Sequence, residues 1–305
     1  MSELPLHGIR VLDLSWIIAG PTASGKSAVA LEVAQRLHGE IISVDSMQVY
    51  RGLDLGTAKP TAEERARVPH HLIDILELTE SFDAASFVTR TKPLIQKIKR
   101  PVFCGGTGLY FSASLEGLGD APQANATLRT ELGTMELETL VAELLEHDPA
   151  THETIDRQNR RRVTRAVEVI RLTGKPFSEQ RAEWTGNVPP NFFLLERDRE
   201  DLRHRIDTRV DAMFSAGLVA ETCSLRLALE GNPVAQQALG YRQVIGHLND
   251  EQGLPETVTL VKSRTWQFAR RQMTWFRKLH GTQTLTVPAN EPAAETARRL
   301  IEKIT

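Results

Sequence analysis

Cysteine is nearly absent: two residues, Cys104 and Cys223, in a chain of 305. They lie far apart and without metal-ligand spacing, which excludes a zinc finger and a disulfide-stapled scaffold and points to a reducing cytoplasm. Long apolar runs are missing too. None approaches the roughly 18–20 residues that cross a bilayer, so no membrane helix is expected. The opening has no basic stretch followed by an apolar one, so no secretory signal is expected either. Charge of one sign is not in excess: 37 Lys and Arg face 39 Asp and Glu, a net charge of −2. That excludes a uniformly basic nucleic-acid coat. It also averages over two cationic segments, "RQNRRRVTR" (157–165) and "RTWQFARRQMTWFRK" (264–278).

What the chain has is core material and a phosphate motif. Hydrophobic residues at 41% and charged residues at 25% describe a folded globular protein. The run Gly20-Pro21-Thr22-Ala23-Ser24-Gly25-Lys26-Ser27 fits G-x-x-x-x-G-K-[ST], the loop of nucleotide-binding and ATP-binding proteins. Its glycines let backbone N–H groups converge on phosphate oxygens at a helix N-terminus; Lys26 adds a point charge, and the Ser27 hydroxyl can ligate a phosphate-bound Mg2+. The setting agrees, with an apolar strand at 17–19 before the loop and a helical period over 26–37 after it. Further strands are expected at 40–45, 101–104, 192–198 and 282–287, with 71–76 either a strand or an irregular connection, and a helix over 81–99 that tolerates Pro93. Alternating strands and helices predict a parallel α/β sheet. Residues 127–183 show helical stretches only. The predicted fold is therefore α/β, a P-loop parallel-sheet core (1–119 and 191–305) interrupted by an all-helical insert (120–190).

A bound phosphate follows from the loop; whose phosphate does not. The strand at 101–104 runs into Gly105-Gly106-Thr107 with no acid to hold magnesium, as a nucleotide hydrolase would have, and no Asn-Lys-x-Asp guanine-reading element occurs. An acid does end the strand after the loop helix, Asp45 in "SVDSMQVYRGLDLGTAKP". At that strand end it faces the crevice where parallel sheets hold ligands, as a base beside the phosphate or as a cap on the next turn.

The ordered blocks "GPTASGKS", "VDSMQVYRGLDLGTAKP", "HHLIDI", "GGTGLY", "RRRVTRAVEV", "LGYRQ" and "ARRQMTWFR" resemble the tRNA dimethylallyltransferase (tRNA isopentenyltransferase) family, and the lack of a zinc finger resembles its bacterial form. The resemblance implies transfer of a dimethylallyl group from dimethylallyl diphosphate to N6 of adenosine 37, in tRNAs reading codons that start with U, with diphosphate released. It implies Asp45 as general base, Thr107 near the adenosine, Arg209 on the diphosphate, and the loop Gly20–Ser27 with Mg2+ as the diphosphate site. For the anticodon stem-loop of tRNA it implies Asp45, Ser46, Met47, Gln48, Thr107, Arg129, Arg161, Arg162, Val163, Thr164, Arg165, Gln237, Gly240, Tyr241 and Arg242. A cytoplasmic monomer is expected, since one tRNA fills the channel. On the residues alone Arg205 is as good a candidate as Arg209, and Thr107 could simply cap the next helix. The aromatics of 264–278 are expected in the core. The chain departs from the usual pattern at Asn125, normally Asp, and at Trp266, normally Arg. A P-loop small-molecule kinase using ATP is the alternative; a non-catalytic tRNA binder is a second. Ahead of the loop, "GIRVLDLSWIIAGP" resembles the opening of family III CoA-transferases, but nothing after Pro21 continues that likeness, and the run is taken as a lengthened first strand.

Overall fold

The computed structural model describes residues 15–303, so the expected lengthening of the first strand over Gly8–Leu14 lies outside the described residues. Six parallel strands form one sheet in the order β3-β2-β4-β1-β5-β6, with β1 Trp16–Ala19, β2 Glu40–Val44, β3 His70–His71, β4 Pro101–Gly105, β5 Phe192–Glu196 and β6 Gln283–Thr286. The α/β class read from the alternation holds. Ile17, Ile18 and Ala19 are buried in β1, as are Phe192 to Leu195 in β5, as strands covered on both faces require. The helix Lys26–Leu37 lays Val29, Ala30, Val33 and Ala34 onto a core shared with Ile18, Val102, Phe193 and Leu300. Asp83 caps the helix Ala84–Lys97 by accepting from the Ser86 N–H at 2.8 Å, with Pro93 inside it.

The segment 71–76 is the irregular alternative. Only His70–His71 pairs with β2; Leu72 and Asp74 then take positive φ (62° and 55°), which no strand allows. Asp74 is held there by Lys59 and by Arg65 at 2.7 Å. No single helix among the described residues is long and apolar enough to cross a membrane.

Contacts divide the chain into two compact units, one running to Leu115 and resuming at Gly186, the other Glu116–Thr185. The second contains the helices Ala126–Thr134, Leu137–His147, Pro149–Thr154 and Arg160–Thr173 around Leu132, Leu140, Leu144, Val163 and Val167.

Candidate active site

The C-terminal ends of β1, β2 and β4 meet at the phosphate loop. Gly25 ends the loop at φ 91°, a left-handed conformation that turns the chain into the helix Lys26–Leu37. The loop's carbonyls are held from outside. Pro21 O accepts from the Ser24 N–H and from Lys26 Nζ, Ala23 O from Arg205 Nε at 3.0 Å, and Ser24 O from Arg197 Nε at 2.8 Å. Arg197 is itself fixed by Asp201 at 2.9 Å. The amide of Thr22 donates to Gln272 Oε1 at 2.8 Å, so it is not open to an anion. The amides of Ala23, Gly25, Lys26 and Ser27 make no hydrogen bond among the described residues. Four N–H groups thus remain for an anion at a helix N-terminus. Gly20 and Pro21 are buried, and Ser24 is buried with its hydroxyl unpartnered.

Lys26, Ser27, Arg205, Thr208 and Arg209 line a cleft of about 420 Å³ beside the loop. Burial lowers the Lys26 pKa, and Arg209 pushes it the same way, while Cys104 and Asp45 act against the shift. Burial also lowers the Arg209 pKa against the attraction of Asp45. The geometry separates the two arginines that sequence left equal: Arg205 is spent on the loop's backbone, whereas Arg209 has no hydrogen bond or ion pair among the described residues. Cys104 fills the place near the end of β4 where a hydrolase would carry an acid. Burial raises its thiol to about 11, against the pull of Lys26 and a hydrogen bond with Ser27, so it stays neutral.

Asp45 follows β2 directly, and its two carboxylate oxygens differ in their surroundings. Its Oδ1 accepts from the amides of Met47 (2.8 Å) and Gln48 (3.2 Å), capping the turn; Oδ2 has no hydrogen bond among the described residues. The Thr107 amide donates to Val44 O at 3.2 Å, one residue before Asp45. Its carbonyl receives the Tyr110 N–H, and its hydroxyl makes no hydrogen bond, so the side chain is not a helix cap. Ser46 and Met47 are partly exposed on the same turn. Gln48 is committed inward, accepting from Ser43 Oγ at 2.8 Å and donating to the carbonyls of Thr57 and Ala58.

The remaining predicted residues differ in what they can offer. Gln237 and Arg242 are exposed and bonded to each other at 2.9 Å. Gly240 adopts φ 93° to start the helix Tyr241–Leu248. Tyr241 is fully buried; its hydroxyl accepts the Gly56 N–H at 3.1 Å and donates to Glu221, and burial and Glu221 raise its pKa. In the helical unit, Arg161 and Arg162 are exposed with no carboxylate partner among the described residues, Thr164 is half-buried, and Val163 is core. Arg129 and Arg165 both pair with Glu168, a fully buried carboxylate that also accepts the Asn125 N–H at 2.8 Å. Asn125 caps its helix through Leu128 N at 2.9 Å, as the usual Asp would.

Sequence reasoning missed Arg197 and Gln272. Gln272 lay inside a quoted block, "ARRQMTWFR", and that was the available signal. Of the aromatics of 264–278, expected in the core, Trp266 packs on Ala23, Leu202 and Ile206 and Phe276 is buried, whereas Trp275 is half-buried and Phe268 is exposed. Arg199 and Arg203 stand 5.8 and 5.6 Å from the Trp266 ring, so cations cover the place of the usual arginine.

Comparison with known proteins shows the family of the chain. The family described as IPP transferase matches residues 48–279. A tRNA dimethylallyltransferase 1 of Trichlorobacter lovleyi is 47% identical over 293 residues, spanning 92% of this chain and 96% of that protein. A tRNA dimethylallyltransferase of Geobacter metallireducens is 44% identical over 276 residues, 86% and 89% of the two chains. Among solved structures, a full-length tRNA isopentenylpyrophosphate transferase of Bacillus halodurans superposes with a TM-score of 0.68 at 36% identity over 96% and 97%. A eukaryotic dimethylallyltransferase acting on tRNA gives 0.74 at 26% identity, covering 94% of this chain and 77% of that one. None of these names points to a small-molecule kinase. With one family description over most of its length and relatives near half-identical across nearly all of it, the chain belongs to the IPP transferase family and is a transferase of the tRNA dimethylallyltransferase type.

Proposed function

We propose that the chain transfers the dimethylallyl group of dimethylallyl diphosphate to N6 of adenosine 37 in tRNAs reading codons that start with U. The carrying observation is one cleft in which unclaimed loop amides, Lys26 and Arg209 lie within electrostatic reach of Asp45, whose Oδ2 is unclaimed too. The diphosphate sits on the amides of Ala23, Gly25, Lys26 and Ser27. The adenine N6 attacks the allylic carbon; the C–N bond forms, the allylic C–O bond breaks, and the electron pair leaves with the diphosphate. Lys26, Arg209 and the amides stabilise that growing charge. The N6 proton passes to Asp45 Oδ2, which makes a poor amine nucleophile competent. Thr107, with its hydroxyl unengaged beside Asp45, holds the base.

Ser27, an exposed residue at the cleft wall, offers its hydroxyl oxygen to a Mg2+ ion, while no group of three or more His, Cys, Asp or Glu that could hold a metal occurs among the described residues. Ser27 and the diphosphate would share it, and it would supply further charge neutralisation. In the helical unit Arg161 and Arg162 contact phosphates of the tRNA anticodon stem-loop, with Arg129 and Arg165 beside them; in the sheet unit the Gln237–Arg242 turn contacts the tRNA. The enzyme works as a cytoplasmic monomer.

Labelled dimethylallyl diphosphate, Mg2+ and unmodified tRNA test the reading. Label in tRNA, mapped to adenosine 37 and lost on Asp45→Asn, is the expected result. A folded protein that binds tRNA and transfers nothing refutes it.

A further inference from the structure

The Gln272 side chain joins the two halves of this site. It stands near the end of the helix Leu254–Phe276 and is 8% exposed. Its Oε1 accepts from the amide of Thr22 in the phosphate loop at 2.8 Å, and its Nε2 donates to Gly106 O at 2.9 Å, in the turn between β4 and Thr107. The partners are 250 and 166 residues away in sequence. A primary amide is suited to this task, because it presents one donor and one acceptor in a fixed plane.

The surroundings are shaped for it. A Cβ on Gly106 would lie 2.2 Å from Gln272 Nε2 and 3.2 Å from Gly20 O, so only glycine leaves room for the amide. One turn farther along the helix, Trp275 packs where a Cβ on Gly108 would fall, 2.2 Å from its ring. Met273 and Ala269 join the cluster that holds Ala23. The same helix thus backs the loop and the Thr107 turn, and the Gln272 amide is the polar link between them.

We infer that Gln272 is a positioning residue, which fixes the separation between the diphosphate cradle and the turn that presents Thr107 beside Asp45. This rests on the transferase reading. Gln272 touches neither substrate: it spends the Thr22 amide on alignment and leaves the other loop amides to the anion. In a displacement whose nucleophile and leaving group are held by different segments, that separation governs kcat, and a shift on the order of 1 Å lowers it about 100-fold. The affinity of each substrate, set by its own segment, is spared.

Two variants test it, measured beside the wild type under saturating tRNA and donor. Gln272→Met keeps the volume and removes both bonds. It is expected to lower kcat about 10- to 100-fold with both KM values within about threefold of wild type. Gln272→Glu can still accept from Thr22, but its second oxygen opposes the Gly106 carbonyl until it is protonated. Burial raises the pKa of such a carboxyl. The ratio of its kcat to that of wild type is therefore expected to climb as pH falls, a signature that loss of packing does not produce. Should Gln272→Met fold poorly, the pH dependence of the Glu variant decides alone. A Met variant that transfers at the wild-type kcat, or a Glu ratio flat with pH, overturns the inference. A wild type that transfers no label overturns the transferase reading beneath it.

Discussion

On the proposed reading Asp45 has two separable duties, and the pair Asp45→Asn and Asp45→Ala divides them. Oδ1 holds the turn through the amides of Met47 and Gln48, at 2.8 and 3.2 Å, while Oδ2 accepts no hydrogen bond among the described residues. Asparagine keeps an acceptor for both amides and removes the base. Alanine removes the base and the turn cap together. Hydrogen bonds to a charged acceptor are worth about 1.5–3 kcal/mol each, and one of these two is long, so the cap contributes on the order of 2–3 kcal/mol. Asparagine, a neutral acceptor, retains roughly half of that. The base is worth about 10²- to 10⁴-fold in rate. Both variants should therefore lose transfer by that factor in a single-turnover assay with label on the donor. The alanine should lower the Tm about twice as far as the asparagine, at about 2–4 °C per kcal/mol for a chain of this size. An asparagine variant that transfers within about tenfold of wild type would remove Asp45 from proton transfer, because a neutral amide cannot take the N6 proton. Equal losses of Tm in both variants would show instead that the carboxylate charge, not the turn cap, is the structural contribution.

Lys26→Met should abolish diphosphate-dependent stabilisation, yet stabilise the ligand-free protein by on the order of 1 kcal/mol, read as a higher Tm. Burial holds the Lys26 pKa below its ordinary 10.5, so the charged form costs stability below that depressed pKa, and the cost fades as pH rises toward 10.5; thermal melts across pH, with and without diphosphate, check both parts. Arg161→Gln with Arg162→Gln should weaken tRNA binding without altering the Tm, and reduce the slope of log Kd against log salt by about 1.5, read by filter binding at several salt concentrations. Glu168 is buried, which raises its pKa, but hydrogen bonds from Arg165, Asn125 and Arg129 outweigh burial and bring it below its ordinary 4.5. Its stabilisation is therefore complete above pH 4.5 and lost as pH falls through the depressed value, so Glu168→Gln should be less stable at neutral pH and lose less stability on acidification, followed by circular dichroism.

The phosphate loop was readable because its chemistry is local. Two glycines, a lysine and a serine at fixed spacing, between an apolar strand and an amphipathic helix, leave the backbone few conformations and the ligand few chemistries. Asp45 was readable for a similar reason: a strand end in a parallel sheet is a position that sequence can count to. The segment 71–76 resisted, since its apolar residues suggest a strand while its course is set by Asp74 and its ties to Lys59 and Arg65. Tyr241 and Val163 sit within blocks that resemble RNA-contacting ones, yet both are fully buried. A motif preserves the residues that hold a surface in place as well as those on it.

What sequence could not give is what makes the loop a site. The carbonyls of Ala23 and Ser24 are taken by Arg205 and Arg197, and the Thr22 amide by Gln272, all from the second half of the chain. Without those bonds the same eight residues could satisfy their polar groups internally or with water, and no amides would be left aligned. The distant side chains instead occupy the groups that face away from the ligand, and leave Lys26 and Arg209 as neighbouring cations whose pKa values burial lowers. Two like charges without an anion between them are a standing cost in the empty protein. On the proposed reading a bound diphosphate relieves that cost, and the relief grows as the allylic C–O bond breaks and negative charge collects on the departing oxygen. The arrangement therefore favours the transition state over the bound donor, which is the condition for the loop to accelerate transfer as well as hold the phosphate.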